Sequence, residues 1–176
     1  MASKKTSTFY LTERLTCTAG ATEVTATIDL GAYVDVADRQ AIAIESVDFI
    51  YQGTTADERI ATAVGADADV FVQLSDLNRG GTIQFADDRA LVASGCLTID
   101  QSNNALSHQT DMYPDMFGDR DGVRLVVNDQ LYLTAQSTAV ASSKAVNVTV
   151  RVKAHVAGLT AKDWMAIAIQ STAADN

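Results

Sequence analysis

Residues 146–153 read Val-Asn-Val-Thr-Val-Arg-Val-Lys, with valine at every second position and a polar side chain at each position between. Successive side chains of a strand point to opposite faces, whereas a helix would scatter these valines around its whole circumference. The segment therefore reads as a strand with one buried face and one wet face, the pattern of an antiparallel sheet. Residues 23–30 repeat it: Val24, Ala26, Ile28 and Leu30 alternate with Glu23, Thr25, Thr27 and Asp29.

Further strands are predicted over 8–17, 70–74, 91–99, 123–127, 130–135 and 145–156, with a short one over 82–85. Residues 40–52 form a long strand whose apolar side chains change parity, Ile42 and Ile44 on one side and Val47, Phe49 and Tyr51 on the other. Such a strand needs a bulge or a second covering surface. Asn78-Arg79-Gly80-Gly81 signals a turn, and Asn128-Asp129 joins the two flanking strands as the best hairpin candidate. Residues 100–122 have little periodicity and read as a long contact-bearing loop. The pattern changes at Thr160, a good N-cap with Asp163 three residues on, and a helix is predicted over 160–170 with Trp164, Ile167 and Ala168 on one face. About eight strands with long and short loops alternating make an all-β, antiparallel single jelly roll with one short C-terminal helix. One domain spans 1–176, with an arm over 1–7 and a tail over 171–176.

Composition narrows the function. The net charge is −9, which opposes phosphate and argues against direct nucleic-acid binding. Lys4-Lys5 is the only basic cluster in the sequence, a contact for a membrane or partner or simply a solvated end. Two cysteines, Cys17 and Cys96, are too few for a disulfide framework and sit in apolar strand contexts, so buried free thiols are expected. No secretory signal pattern opens the sequence and no run of about 18 apolar residues occurs, so a protein soluble as made is expected.

No phosphate-binding glycine loop, nucleophile elbow or zinc-ligand spacing is present. His108 and His155 are the only histidines; His155 is expected at a strand end and His108 in the long loop. The expectation is no enzyme and no cofactor, with one reservation. Asp115, Asp119 and Asp121 gather in the loop and are candidate calcium ligands, against a reading as ordinary turn aspartates. The same loop carries Tyr113, Met116 and Phe117, which need burial under the loop or in a neighbouring chain. With Trp164, which either packs on its own barrel or docks on an adjacent subunit, they are the subunit-interface candidates. Asn147-Val148-Thr149 matches a glycosylation triplet but lies mid-strand.

The order of strands, the long loop before Asp121-Gly-Val-Arg-Leu-Val-Val-Asn-Asp-Gln-Leu-Tyr-Leu133, and the valine-rich last strand followed by the Asp163-Trp164 helix resemble one family. It is the small single-jelly-roll major capsid proteins of tailless, membrane-containing icosahedral viruses of archaea and bacteria, the sphaerolipovirus type. The resemblance implies a structural, non-catalytic subunit of the virion, made in the host cytoplasm. It would pair with itself and with a second, larger capsid protein over an internal lipid membrane, with Lys4 and Lys5 near the base. A carbohydrate-binding module, a surface-layer or appendage subunit and an enzyme on a β scaffold are the competing readings.

Overall fold

The computed structural model describes residues 2–18, 20, 23–62, 64–110, 123–139 and 143–172. Among these residues ten strands and one α-helix follow in order, with a short 3-10 helix at Ile60–Thr62: β1 (Ser3–Lys4), β2 (Phe9–Cys17), β3 (Glu23–Asp29), β4 (Gln40–Gln52), β5 (Ala68–Ser75), β6 (Leu91–Asp100), β7 (Ala105–Thr110), β8 (Arg124–Val126), β9 (Gln130–Ser137), β10 (Val146–Gly158) and α1 (Ala161–Thr172). They form two five-stranded antiparallel sheets. Sheet A runs β2–β10–β4–β8, with β1 sharing the β2 edge of β10, and sheet B runs β3–β9–β5–β6–β7. The chain crosses between sheets after β2, β3, β4, β7, β8 and β9. Four strands of each sheet thus make an eight-stranded jelly roll, which β1 and β7 extend.

Period-two sequence becomes a two-sided sheet most plainly in β10. Val146, Val148, Val150, Val152, Ala154 and Val156 are all buried, while the residues between them reach the outer face. Facing them from sheet B are Val70, Val72 and Leu74 of β5 and Leu131 and Leu133 of β9, in one core cluster with Ile42 and Ile44. A fully buried aliphatic side chain contributes about 1.5–3 kcal/mol relative to leaving it exposed, so this cluster dominates the stability of the fold.

The parity change in β4 has two causes. Lys153 of β10 pairs with Ser46 and Ala154 with Ile44, so Glu45 is an extra, bulged residue. It turns Ile42 and Ile44 inward on one side and Val47, Phe49 and Tyr51 inward on the other. The outward Ala41 is then covered by α1, whose Trp164, Ile167 and Ala168 pack with Leu125, Val127 and Leu159 in a second small cluster. Thr160 caps the helix: its Oγ1 accepts the Asp163 N–H at 3.2 Å, and the Trp164 N–H reaches the Thr160 carbonyl at 2.9 Å.

Four expectations are corrected. The flanks of Asn128-Asp129 are not a hairpin, because β8 pairs with β4 in sheet A while β9 pairs with β3 and β5 in sheet B. The two turn residues instead pin a corner, the Asn128 amide donating to the Asp76 carbonyl at 2.6 Å and the Asp129 carbonyl accepting the Leu30 N–H at 2.7 Å. Residues 82–85 are not a strand: Gln84 is held by a reciprocal amide pair with Gln73 of β5, at 2.7 and 2.8 Å, rather than by a ladder. Residues 105–110, expected in a loop, form the edge strand β7 on β6. His155 lies three residues inside β10 rather than at its end.

Candidate assembly surface

The outer face of sheet A is a grid of side chains set by register. Across β2, β10 and β4 its rows are Tyr10–Lys153–Ser46, Thr12–Arg151–Asp48, Arg14–Thr149–Ile50 and Thr16–Asn147–Gln52. The Arg151 guanidinium lies over the Tyr10 ring, 4.9 Å from its centre. Tyr10 is 55% exposed, and Ile50 also stands exposed two rows away. Exposed arginine beside exposed aromatic and aliphatic side chains is the composition of a protein–protein contact rather than of an inert surface. Asn147 belongs to the same grid: its Oδ1 accepts the Thr16 hydroxyl at 2.8 Å and its Nδ2 donates to the Gly53 carbonyl at 2.8 Å.

At the Glu45 bulge the grid ends in a charged hub. Glu45 takes Lys153 Nζ at 3.1 Å, the Thr8 hydroxyl at 2.9 Å and His155 Nδ1 at 2.9 Å, with Lys4 Nζ at 3.5 Å. The Lys153 ammonium first, then the Thr8 hydroxyl, hold its carboxyl down at about 2, against the opposing effect of burial. Lys4 also donates to the Thr8 hydroxyl at 3.0 Å, and the Lys5 N–H donates to the Val156 carbonyl at 2.8 Å. The N-terminal segment is thus tied onto the end of β10 by backbone and charge together.

The outer side of sheet B is different. The chain between β5 and β6 folds back over it: Arg79 and Asp88 form a two-pronged ion pair at 2.9 and 3.0 Å, and Gly80 and Gly81 adopt φ of 69° and 82°. A Cβ on Gly81 would come within 2.9 Å of Thr25, so the turn presses onto β3. Beneath it is a cleft of about 490 Å³ lined by Thr25, Thr27, Arg79, Tyr132 and Thr134. Phe85, at the tip, is 83% exposed. Asp76 at the root of this excursion is buried, with Arg124 Nη2 3.9 Å from its Oδ2, and burial pushes its carboxyl up to about 6.

The two sheets differ in charge. The strands of sheet A carry five basic residues, Lys4, Arg14, Arg124, Arg151 and Lys153, against Glu13, Glu45 and Asp48. The strands of sheet B carry Glu23, Asp29, Asp69 and Asp100 and no lysine or arginine. In a chain of net charge −9 the strands of sheet A are thus net +2 and those of sheet B net −4.

Of the residues singled out from sequence, Trp164 is half-buried beneath α1 against its own barrel, and its Nε1 is buried without a hydrogen-bond partner among the described residues. The opposite side of the helix leaves Met165 and Ile169 each 60% exposed. Tyr113, Met116, Phe117, Asp115, Asp119 and Asp121 lie outside the described residues. Among the described residues no three His, Cys, Asp or Glu side chains are grouped to hold a metal ion. Cys17 and Cys96 are buried free thiols. His108 sits on β7 with its ring edge-on to Tyr51, centres 5.2 Å apart. Sequence reasoning missed the Arg14, Arg151 and Tyr10 grouping, which no local signal marks because the residues meet only through strand register.

No family model matches the chain, and no curated protein matches it. Among solved structures, it is similar to Merkel cell polyomavirus VP1 in complex with GD1a oligosaccharide, at 9% identity and a TM-score of 0.41, over 90% of this chain and 98% of that one. It is also similar to the turnip yellow mosaic virus structure, at 11% identity and a TM-score of 0.33, over 88% of this chain and 97% of that one. A third, trichodysplasia spinulosa-associated polyomavirus VP1 in complex with sialylated glycooligomers, stands at 11% identity and a TM-score of 0.34, over 84% and 94%. The jelly-roll assignment rests on strand order and register.

Proposed function

We propose that this chain is a structural, non-catalytic capsid subunit of the single jelly-roll kind, resident in the virion. It associates with copies of itself, and in the sphaerolipovirus arrangement with a second capsid protein over a membrane. The observation that carries the reading is the distribution of exposed apolar side chains. Tyr10 stands on the sheet A face, Phe85 over sheet B, Leu106 on the edge strand β7, and Met165 and Ile169 on the helix. A ligand-binding module concentrates such groups in one concave site. A subunit enclosed by neighbours needs them on several sides. Lys4 is occupied by Glu45 and Thr8, so within this reading Lys5 is the freer of the two for a membrane or partner. Calcium at Asp115, Asp119 and Asp121 belongs to the same proposal.

The test is the mass of the purified full chain by light scattering, with electron microscopy of the same sample, at low and molar salt and with or without calcium. Regular rings, sheets or shells support the reading, and a monomer under every condition refutes self-assembly. The hydroxyl-lined cleft at Thr25, Thr134 and Tyr132 favours a second reading, a carbohydrate-binding module. Glycan-array binding that is lost in Tyr132→Ala would move that reading to first place.

A further inference from the structure

We infer that the outer face of sheet A docks against the sheet B side of a second copy of this chain. The inference deepens the shell-subunit reading and rests on it, since both require self-association.

Three observations carry it. The first is charge: the sheet A strands are net +2 and the sheet B strands net −4, with no lysine or arginine on any sheet B strand. Two copies meeting A to A or B to B oppose like charges, and only A to B is attractive. Complementary potentials of this kind fix partner and register and speed encounter. The second is composition. The sheet A face offers Arg151 stacked on Tyr10, with Ile50 and Arg14 one row on, an apolar and guanidinium centre that contributes contact energy as well as charge. The third is position. By strand parity Glu23 and Asp69 point outward, opposite to the buried Ile28 and Val70 of their strands, and register places them with Asp100 at one end of sheet B. The excursion over sheet B contacts it at Gln73 and Thr25, further along the strands, and leaves that end to a neighbour.

The two patches are different, so the contact is heterologous: each copy offers one face and receives on the other. Repetition closes rings or extends lattices instead of stopping at a dimer.

The experiment uses the full chain and three variants. One reverses the sheet A strands from net +2 to −2 (Arg14→Glu with Arg151→Glu), one reverses the Glu23, Asp69 and Asp100 end of sheet B from −3 to +1 (Glu23→Lys with Asp69→Lys), and one carries all four substitutions. Sedimentation velocity follows association from low salt to about 1 M, where the Debye length falls to about 3 Å. Circular dichroism melts verify folding, which substitutions at these outward-facing strand positions should leave intact. The expected result is that each two-site variant associates at least about tenfold more weakly than the unaltered chain at low salt, one decade corresponding to about 1.4 kcal/mol. The four-site variant, with the signs exchanged between the sheet A strands and that end of sheet B, regains association. Two-site variants that assemble like the unaltered chain, or a four-site variant as dissociated as they are, overturn the inference and leave the shell reading standing. An unaltered chain that stays monomeric at every salt concentration overturns both.

Discussion

Asp76→Asn should make the protein more stable at neutral pH, and only there. Asp76 is 4% exposed, its Oδ1 has no hydrogen-bond partner among the described residues, and the facing Arg124 Nη2 stands 3.9 Å from Oδ2. Burial lifts its carboxyl from 3.8 to about 6, with the Asp88 charge adding to the rise and Arg124 and Arg79 opposing it. A folded-state value above the unfolded one means that the protonated form stabilises the fold. That contribution is fully present below about 3.8 and is lost as pH rises through about 6. The shift of roughly two units corresponds to a ceiling of about 3 kcal/mol. The buried amide that replaces the carboxyl must still be desolvated, which returns about 1 kcal/mol or more. Asp76→Asn is therefore expected to gain about 1–2 kcal/mol at pH 7.5, narrowing to nothing or reversing at pH 4. Arg124 keeps a partner, the Arg89 carbonyl at 2.6 Å. Urea unfolding by far-ultraviolet circular dichroism, at fixed protein concentration and at half-unit steps from pH 4 to 7.5, gives the difference curve. Glu45 titrates identically in both proteins and cancels. A difference that stays flat across this range, or a variant that loses stability as pH rises, would refute the reasoning.

Glu45 gives the opposite sign: its folded value of about 2 lies below the unfolded one, so its stabilisation is present above about 4.5 and is lost as pH falls through about 2. Glu45→Gln should cost about 1 kcal/mol at pH 7, after discounting for solvent screening, and accelerate amide exchange at Lys5, read by mass spectrometry. Gly95→Ala places a Cβ 3.0 Å from the Phe49 ring and 3.1 Å from the Tyr51 hydroxyl and should destabilise by about 1–3 kcal/mol in the same urea assay. Burial pushes the Cys17 thiol up to about 11 and raises Cys96 as well, so a thiol reagent at pH 7.5 should modify neither in the native chain and both in denaturant.

How far the sequence could be read follows from where each residue's partner lies. β10 was legible because its burial alternates from Val146 to Val156 and both of its edges are paired. The changing parity of β4 pointed to a bulge or a cover, and both exist, at Glu45 and over Ala41. β7 was not legible: its outward Ser107 and Gln109 alternate with Leu106 and His108 at an exposed edge, so little apolar contrast marks it. Residues 82–85 carry contrast without burial, since Phe85 faces solvent and the Gln84 main chain is held by the Gln73 side-chain amide. Asn128-Asp129 has turn chemistry, but turn chemistry does not state whether the chain reverses within one sheet or crosses to the other. The basic face was hidden for a related reason. Lys4-Lys5 is the one cluster visible along the chain, while Arg14 and Arg151 stand far apart in sequence and meet only across the β2–β10 register.

The place of β10 in sheet A bears on when this protein can begin to associate. It is an interior strand, hydrogen-bonded to β2 on one side and β4 on the other, and it is the last of the described strands to be synthesised. Until residues 146–158 leave the ribosome, β2 and β4 have nothing between them, and their pairing partners are 129–145 and 95–118 positions away along the chain. Long-range pairings of this kind are slow to form. The surface made by Tyr10, Arg151 and Ile50 therefore cannot exist until β10 has been made and has inserted between β2 and β4. A chain in which β10 is not yet in place lacks the means to engage its neighbours through sheet A, and competence arrives in one step, with the insertion of that strand.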